Sequence, residues 1–145
     1  NTRLVGSEMC IRDRDYKNFI LPLSTKILLE ARESGVPTIF FPKNFNEGLK
    51  YINKEMCDYV SVDYDISLDY ARNLLDSEVG IQGNMDPKIF YQEIDEIEKY
   101  LKSLIGFGSK NTDWIFNLGH GFRPDIDHIK VKYVVEWIKN ANWKR

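Results

Sequence analysis

The sequence predicts an α/β fold in which parallel strands alternate with helices. Four short apolar runs, centred near residues 40, 61, 80 and 115, are rich in the β-branched and aromatic residues that are typical of buried strands. Segments with apolar residues at helical spacing lie before, between and after these runs. Since consecutive parallel strands need a crossover helix, this order predicts right-handed βαβ units. Two architectures fit: an open doubly wound sheet and part of an α/β barrel.

The first segment, residues 1–14, shows neither a helical nor a strand period and ends in alternating charges. Its string SEMCIRDR resembles translated sequencing-adapter read-through. We therefore expect residues 1–14 to be a non-native segment and residues 15–145 to be the C-terminal part of a longer native protein.

The next segments predict a helix, a strand, a short helix and a second strand. Apolar residues recur at helical spacing from Tyr16 to Ala31, including Phe19, Leu23 and Ile27, and Gly35 ends this helix. Residues 37–41 form an apolar run that predicts a buried strand. A short helix is predicted over residues 45–52, and residues 59–62 predict the second strand.

The second half repeats the alternation. Ser67 is the expected N-cap of a helix that buries Leu68, Ala71 and Leu75. Residues 79–82 predict the third strand and residues 114–117 the fourth. Between them a helix spans residues 94–104, and Gly106 is expected to end it. The last helix is expected to begin near Asp125 or Asp127 and to bury Ile129, Tyr133, Val134 and Trp137.

The composition excludes several classes of protein. The 145 residues are 43% hydrophobic and 29% charged, as in a globular domain. The net charge of −2 gives no basic excess toward nucleic acid or an anionic membrane. No apolar stretch approaches the ~18 residues of a membrane span, and no secretory signal is visible, so we expect a cytoplasmic location. Cys10 and Cys57 predict neither a disulfide framework nor a metal pair.

Polar side chains follow each predicted strand. In parallel α/β folds the carboxyl ends of the strands are where ligands bind. These residues are Lys43 and Asn44, then Asp63, then Gln82, Asn84 and Asp86, and finally Asn117, Gly119, His120 and Gly121. They predict either a shared polar rim or ordinary surface turns. His120 is the sharpest candidate, because a histidine between two glycines after a strand can donate to a bound carboxylate.

Four segments of the sequence resemble the uroporphyrinogen decarboxylase family. They are FNLGHGFRP at 116–124, QGNMDP at 82–87, VDY at 62–64 and FILP at 19–22. The resemblance covers residues 15–145 in the family's order and spacing. It implies the C-terminal half of a (β/α)8 TIM barrel, with four parallel strands and their helices.

The resemblance also implies a function. Family members are lyases of haem and tetrapyrrole biosynthesis that decarboxylate the four acetate side chains of uroporphyrinogen III to give coproporphyrinogen III. They use no metal and no organic cofactor, because a pyrrole carbon protonated on the substrate accepts the electrons released with CO2. They are cytoplasmic homodimers, with no nucleic acid or membrane partner.

The resemblance assigns site residues only in part. His120 matches the family's substrate-binding histidine. Supporting roles are expected for Gly119, Gly121, Asn117, Gln82 and Asn84, and Arg123 is a further candidate contact for a substrate carboxylate. The family's R-Q-A-G-R loop and its site aspartate, tyrosine and serine lie earlier in the chain and are missing here. The main catalytic groups are therefore expected in the missing N-terminal half, and the isolated fragment is expected to be inactive.

Two alternatives remain open. A related barrel corrinoid or methyl-thiol methyltransferase would bind zinc through His and Cys, but no Cys lies near a strand end. A complete, small, non-catalytic α/β binding module would need no missing half.

Overall fold

The structure, a computed structural model, describes residues 13–143 of the chain. Cys10 and most of the segment 1–14 lie outside these residues, so the expectation for that segment remains a prediction.

The elements follow the predicted order. A π-helical stretch, Tyr16–Ile20, leads into helix α1, Leu21–Glu33. Strand β1, Ile39–Phe40, is followed by a 3-10 helix, Asn46–Tyr51, and by strand β2, Tyr59–Ser61. Helix α2, Leu68–Leu74, begins after Ser67, whose hydroxyl accepts a hydrogen bond from the Tyr70 amide, which confirms the predicted N-cap.

The second half contains strand β3, Gly80–Gln82, and a 3-10 helix, Pro87–Tyr91. Helices α3, Ile94–Ser103, and α4, Ile105–Lys110, then lead to strand β4, Trp114–Ile115. Helix α5, His128–Asn140, starts after Asp127, whose carboxylate accepts from the Ile129 amide. Residues 13–143 therefore contain the four predicted strands, each shorter than its apolar run.

The strand order distinguishes between the two predicted architectures. The four strands form one parallel sheet in the order β1-β2-β3-β4. A doubly wound sheet reverses its order at a switch point. Here each strand lies beside the one that precedes it in the chain, so every crossover moves along the sheet in the same direction. Crossovers with the usual right hand then place all of their helices on one face of the sheet, as in a barrel. The predicted α/β class with four parallel strands and helices is thus confirmed.

The two faces of the sheet differ in burial. Val60, Ile81 and Trp114 are in register, and Val60 and Ile81 are buried beneath the helices. On the opposite face Ser61, Gln82 and Ile115 are in register, and Ile115 is exposed. Ile39 and Phe41 are also exposed. Among the described residues the helices therefore cover one face of the sheet, because all of the βα units wind the same way.

Two helical predictions need correction. Gly106 does not end the helical region, since α4 continues to Lys110. The cost of a helical glycine, about 1 kcal/mol, is offset by Phe107, which is buried edge-on against the Trp114 ring. Ile129 is 63% exposed, whereas Val134 is buried. Five residues separate them, which places their side chains about 140° apart around the helix.

The predicted apolar face of the first helix is also only partly buried. Leu21 is buried and Leu28 packs against the core, but Phe19, Leu23 and Ile27 are exposed. The helical period was predicted correctly and the side that faces the core was not. Among residues 13–143 no helix is long and apolar enough to cross a membrane.

Asp58 joins the amino-terminal ends of β1 and β2. One carboxylate oxygen accepts from the Thr38 amide at 2.9 Å, and the other lies 2.9 Å from Lys54 Nζ. The hydrogen bond from Thr38, followed by that from Lys54, lowers the pKa of Asp58 from 3.8 to about 2. Because folding lowers this pKa, the ionised carboxylate stabilises the folded state at any pH above the pKa of the unfolded chain. The contribution is lost as the pH falls from the unfolded pKa to the folded one.

We therefore expect the melting temperature to fall between about pH 4 and pH 2, and Asp58→Asn to flatten that dependence and to destabilise the chain at neutral pH. Thermal denaturation followed by circular dichroism over this pH range measures both effects. Asp69→Asn, an exposed carboxylate on α2, controls for the loss of one negative charge. An unchanged pH dependence in Asp58→Asn would contradict the role of this carboxylate.

Candidate active site at the carboxyl ends of the strands

The carboxyl ends of the four strands meet through hydrogen bonds. The Asn44 amide, after β1, donates to the Asp63 carboxylate, after β2, at 2.7 Å. The Asn84 side chain, after β3, donates to the backbone carbonyl of Asp63 at 2.7 Å. Lys43 Nζ, after β1, lies 3.1 Å from His120 Nε2, after β4. The structure thus brings residues from all four strand ends to one edge of the sheet.

Backbone pairing carries the His120 loop into place. Beyond β3 and β4 the ladder continues, because the Met85 amide donates to the Asn117 carbonyl and the Gly119 amide donates to the Met85 carbonyl. Gly119 is then buried against the backbone of Tyr64, and a Cβ there would lie 2.5 Å from the Tyr64 nitrogen. Gly121 has no neighbour within 4 Å of such a Cβ. Close approach therefore requires glycine at 119 and not at 121.

A cavity of about 710 Å³ opens beside this loop. Its polar lining comes from Ser61, Gln82, Asn117 and His120. The Gln82 side chain lies 3.4 Å from the Ser61 hydroxyl on the same face of the sheet. The rest of the lining is largely apolar. It includes Phe41, Phe116, Leu118 and Phe122 from beyond the strands, Phe90 from the 3-10 helix Pro87–Tyr91, and Val131, Val134 and Val135 from α5. An apolar cavity with a few polar groups is typical of a site for an organic ligand.

A second cavity, of about 350 Å³, lies on the other side of His120. Lys43, Lys88 and Arg123 line it with Asp63, Asp65 and Asp86. Tyr91 also lines it, and its hydroxyl donates to Asp125 at 2.9 Å. Burial and then the Asp125 carboxylate raise the pKa of Tyr91. His120 therefore stands between an apolar cavity and a charged one.

The predicted site residues occupy different positions relative to these cavities. Asn117, Gly119 and Gln82 line the larger cavity, and His120 and Gly121 line both. Asn84 lines neither of them; it is buried and donates to the carbonyls of Asp63 and Ile66. Its contacts support the loop after β2.

Sequence reasoning placed Lys43 at a strand end but gave it no role. Its neighbour His120 is 77 residues away in the chain, and only the register of the sheet brings the two side chains together. Tyr64 and Tyr91 were likewise not singled out as lining residues. Because Lys43 follows a strand, the rule that strand ends meet at one edge could have placed it near His120.

Cys57 is not part of the site. It is fully buried, and burial raises the pKa of its thiol to about 11. A buried neutral thiol acts as a small packing residue. In the portion of the chain that the structure describes, no group of three or more His, Cys, Asp and Glu side chains could hold a metal ion.

The fold and the rim together define a class: a βα-barrel protein whose ligand site lies at the carboxyl ends of its strands. The family model for uroporphyrinogen decarboxylase (URO-D) matches residues 6–141. The chain belongs to the uroporphyrinogen decarboxylase family, whose members have a TIM-barrel fold. The resemblance found in the sequence is thereby confirmed.

Curated relatives named uroporphyrinogen decarboxylase are similar to this chain. The protein of Colwellia psychrerythraea is 37% identical over 128 residues, which are 85% of this chain and 36% of the relative. That of Chlorobium phaeovibrioides is 34% identical over 140 residues, 92% of this chain and 40% of the relative. The protein of Vesicomyosocius okutanii is 32% identical over 130 residues, which are 88% of this chain and 38% of the relative. The chain spans about two fifths of the length of these relatives.

Proposed function

We propose that this chain is the C-terminal part of a uroporphyrinogen decarboxylase, a carboxy-lyase that converts uroporphyrinogen III to coproporphyrinogen III. Membership of the family supports the reaction class. The observation that carries the proposal is the placement of His120, which the continued β3–β4 ladder holds at the mouth of an apolar cavity of about 710 Å³. A macrocycle with charged side arms needs both features: an apolar surface for its rings and hydrogen-bond donors for its carboxylates.

The residues of this chain would bind and orient the substrate. His120 would donate to a substrate carboxylate, and Gln82 with Ser61 would offer neutral polar groups within the cavity. In the reaction the bond between the acetate methylene and its carboxylate breaks, and the electron pair moves into the protonated pyrrole. CO2 leaves, a proton adds to the methylene carbon to give a methyl group, and the proton first added to the pyrrole carbon is lost, which restores the neutral ring. The chain's contribution is orientation and the exclusion of water.

We propose that the two parts of the full-length enzyme contribute different groups to the site. The family's arginine-rich loop and its site aspartate, tyrosine and serine have no match in these residues, so we assign them to an N-terminal part of the full-length enzyme. The full-length enzyme is proposed to be a cytoplasmic homodimer that needs no cofactor, as the resemblance implies.

The test compares the full-length polypeptide that contains this chain with the 145-residue chain alone. Both are incubated anaerobically with uroporphyrinogen III, and the products are oxidised to porphyrins and separated by chromatography. We expect coproporphyrin from the full-length polypeptide and none from the isolated chain. A full-length polypeptide that leaves the acetates intact would refute the function, and robust decarboxylation by the isolated chain would refute the division of the site.

A further inference from the structure

Lys43 lies at the rim and has no carboxylate partner among residues 13–143. Its contact is His120. The two side chains come from opposite ends of the strand order, after β1 and after β4. Both are exposed to the space in which a ligand would lie.

Hydrogen-bond chemistry fixes the roles within this pair. An ammonium group has three donors and no acceptor, so at 3.1 Å Lys43 Nζ donates to His120 Nε2. Of the two tautomers of the neutral ring, this hydrogen bond selects the one that carries its proton on Nδ1.

The nearby carboxylates are already used elsewhere. Asp63 accepts from the Asn44 amide at 2.7 Å, and Asp65 accepts from the Asn46 side chain at 2.8 Å. Asp86 accepts from the Lys88 amide at 2.9 Å, as the N-cap of the 3-10 helix. Each acid has a partner of its own, and none of the three forms an ion pair with Lys43, so the ammonium group is available to an incoming anion.

We propose that Lys43 binds a carboxylate of the substrate beside His120 and that it positions His120 by holding the Nδ1–H tautomer. The substrate-binding part rests on the proposed function, whereas the positioning part rests on the Lys43–His120 contact alone. A charge-assisted hydrogen bond to a carboxylate contributes about 1.5–3 kcal/mol, which corresponds to about 10- to 160-fold in affinity.

The positioning role is tested by the tautomer of His120. In the full-length polypeptide that contains this chain, two-dimensional 15N NMR in alkaline buffer reports which ring nitrogen of each neutral histidine carries the proton, and His120→Asn identifies the His120 signals. We expect Nδ1–H for His120 in the wild type and a shift toward Nε2–H in Lys43→Met. His128, whose side chain is 92% exposed, is the internal reference and should not change. An unchanged His120 tautomer in Lys43→Met would overturn the positioning role.

The binding role is tested by kinetics in the full-length polypeptide. Lys43→Met should raise KM for uroporphyrinogen about tenfold or more, and Lys43→Arg, which keeps the charge, should recover most of that loss. Lys99→Met removes a lysine of α3 that lines neither cavity and whose side chain is 80% exposed, so it is the control for the loss of one positive charge. An unchanged KM in Lys43→Met, or an equal rise in Lys99→Met, would overturn the binding role.

The two tests separate this inference from the proposed function. If the wild-type full-length polypeptide does not decarboxylate uroporphyrinogen, the proposed function fails, and the NMR result still decides whether Lys43 positions His120. If the wild type is active and Lys43→Met binds substrate normally, only the inference about Lys43 fails.

Discussion

Replacing His120 with asparagine is expected to lower kcat/KM of the full-length enzyme by about 10- to 100-fold. His120 lies at the junction of the two cavities, within hydrogen-bond distance of Lys43. Asparagine keeps an amide donor but is shorter, so it cannot reach both the ammonium group and a substrate carboxylate. The loss should resemble the removal of one hydrogen bond to a charged group.

The control for this variant is His128→Asn. His128 is the first residue of α5 and is exposed, so its replacement should leave both kinetics and stability unchanged. Steady-state kinetics with uroporphyrinogen, together with circular dichroism melts, separate a lost contact from a lost fold. Unchanged kinetics in His120→Asn would remove His120 from the site.

Replacing Gly119 with alanine is expected to lower kcat/KM by a similar factor, because the added methyl group disturbs the packing of the His120 loop. A Cβ at this position would lie 2.5 Å from the Tyr64 nitrogen and 2.9 Å from its Cα. These are backbone atoms of the loop after β2, which Asn84 holds through hydrogen bonds to the Asp63 and Ile66 carbonyls, so the His120 loop and not the loop after β2 must move. Overpacking of this kind costs about 1–3 kcal/mol. A displacement of His120 by about 1 Å would lower kcat/KM by up to about 100-fold.

Gly121→Ala is the matched control for Gly119→Ala. It adds the same methyl group two residues away, where no atom lies within 4 Å. We expect a lower melting temperature and a lower kcat/KM for Gly119→Ala and values near the wild type for Gly121→Ala. Equal behaviour of the two variants would show that close approach of the loop to Tyr64 does not matter.

Local patterns in the sequence were enough for the order of the elements. The β-branched runs, the Ser67 N-cap and the Asp127 start of the last helix all depend on residues within a few positions of one another. The same holds for the family signature around His120, whose glycines and strand are contiguous in the chain. The spacing of apolar residues also predicted that Ala71 and Leu75 are buried.

Local patterns failed where burial depends on distant parts of the chain. Ile129 and Val134 belong to one helix and are both apolar, yet only Val134 is buried. Gly106 is a common helix terminator, but packing of Phe107 on Trp114 extends the helical region beyond it. In each case the outcome was set by which face meets the sheet, and the helical period does not contain that information.

The candidate site divides in the same way. The sequence placed a polar residue after each strand, because parallel strands of βα units end at one edge. Three-dimensional packing was needed to put Lys43 against His120, to bury Asn84 beneath the loop after β2 and to distinguish Gly119 from Gly121. Three-dimensional packing also determined that the sheet is wound in one direction and is not doubly wound. The physical reason is that strand order and register fix distances between residues far apart in the chain, and no local pattern encodes those distances.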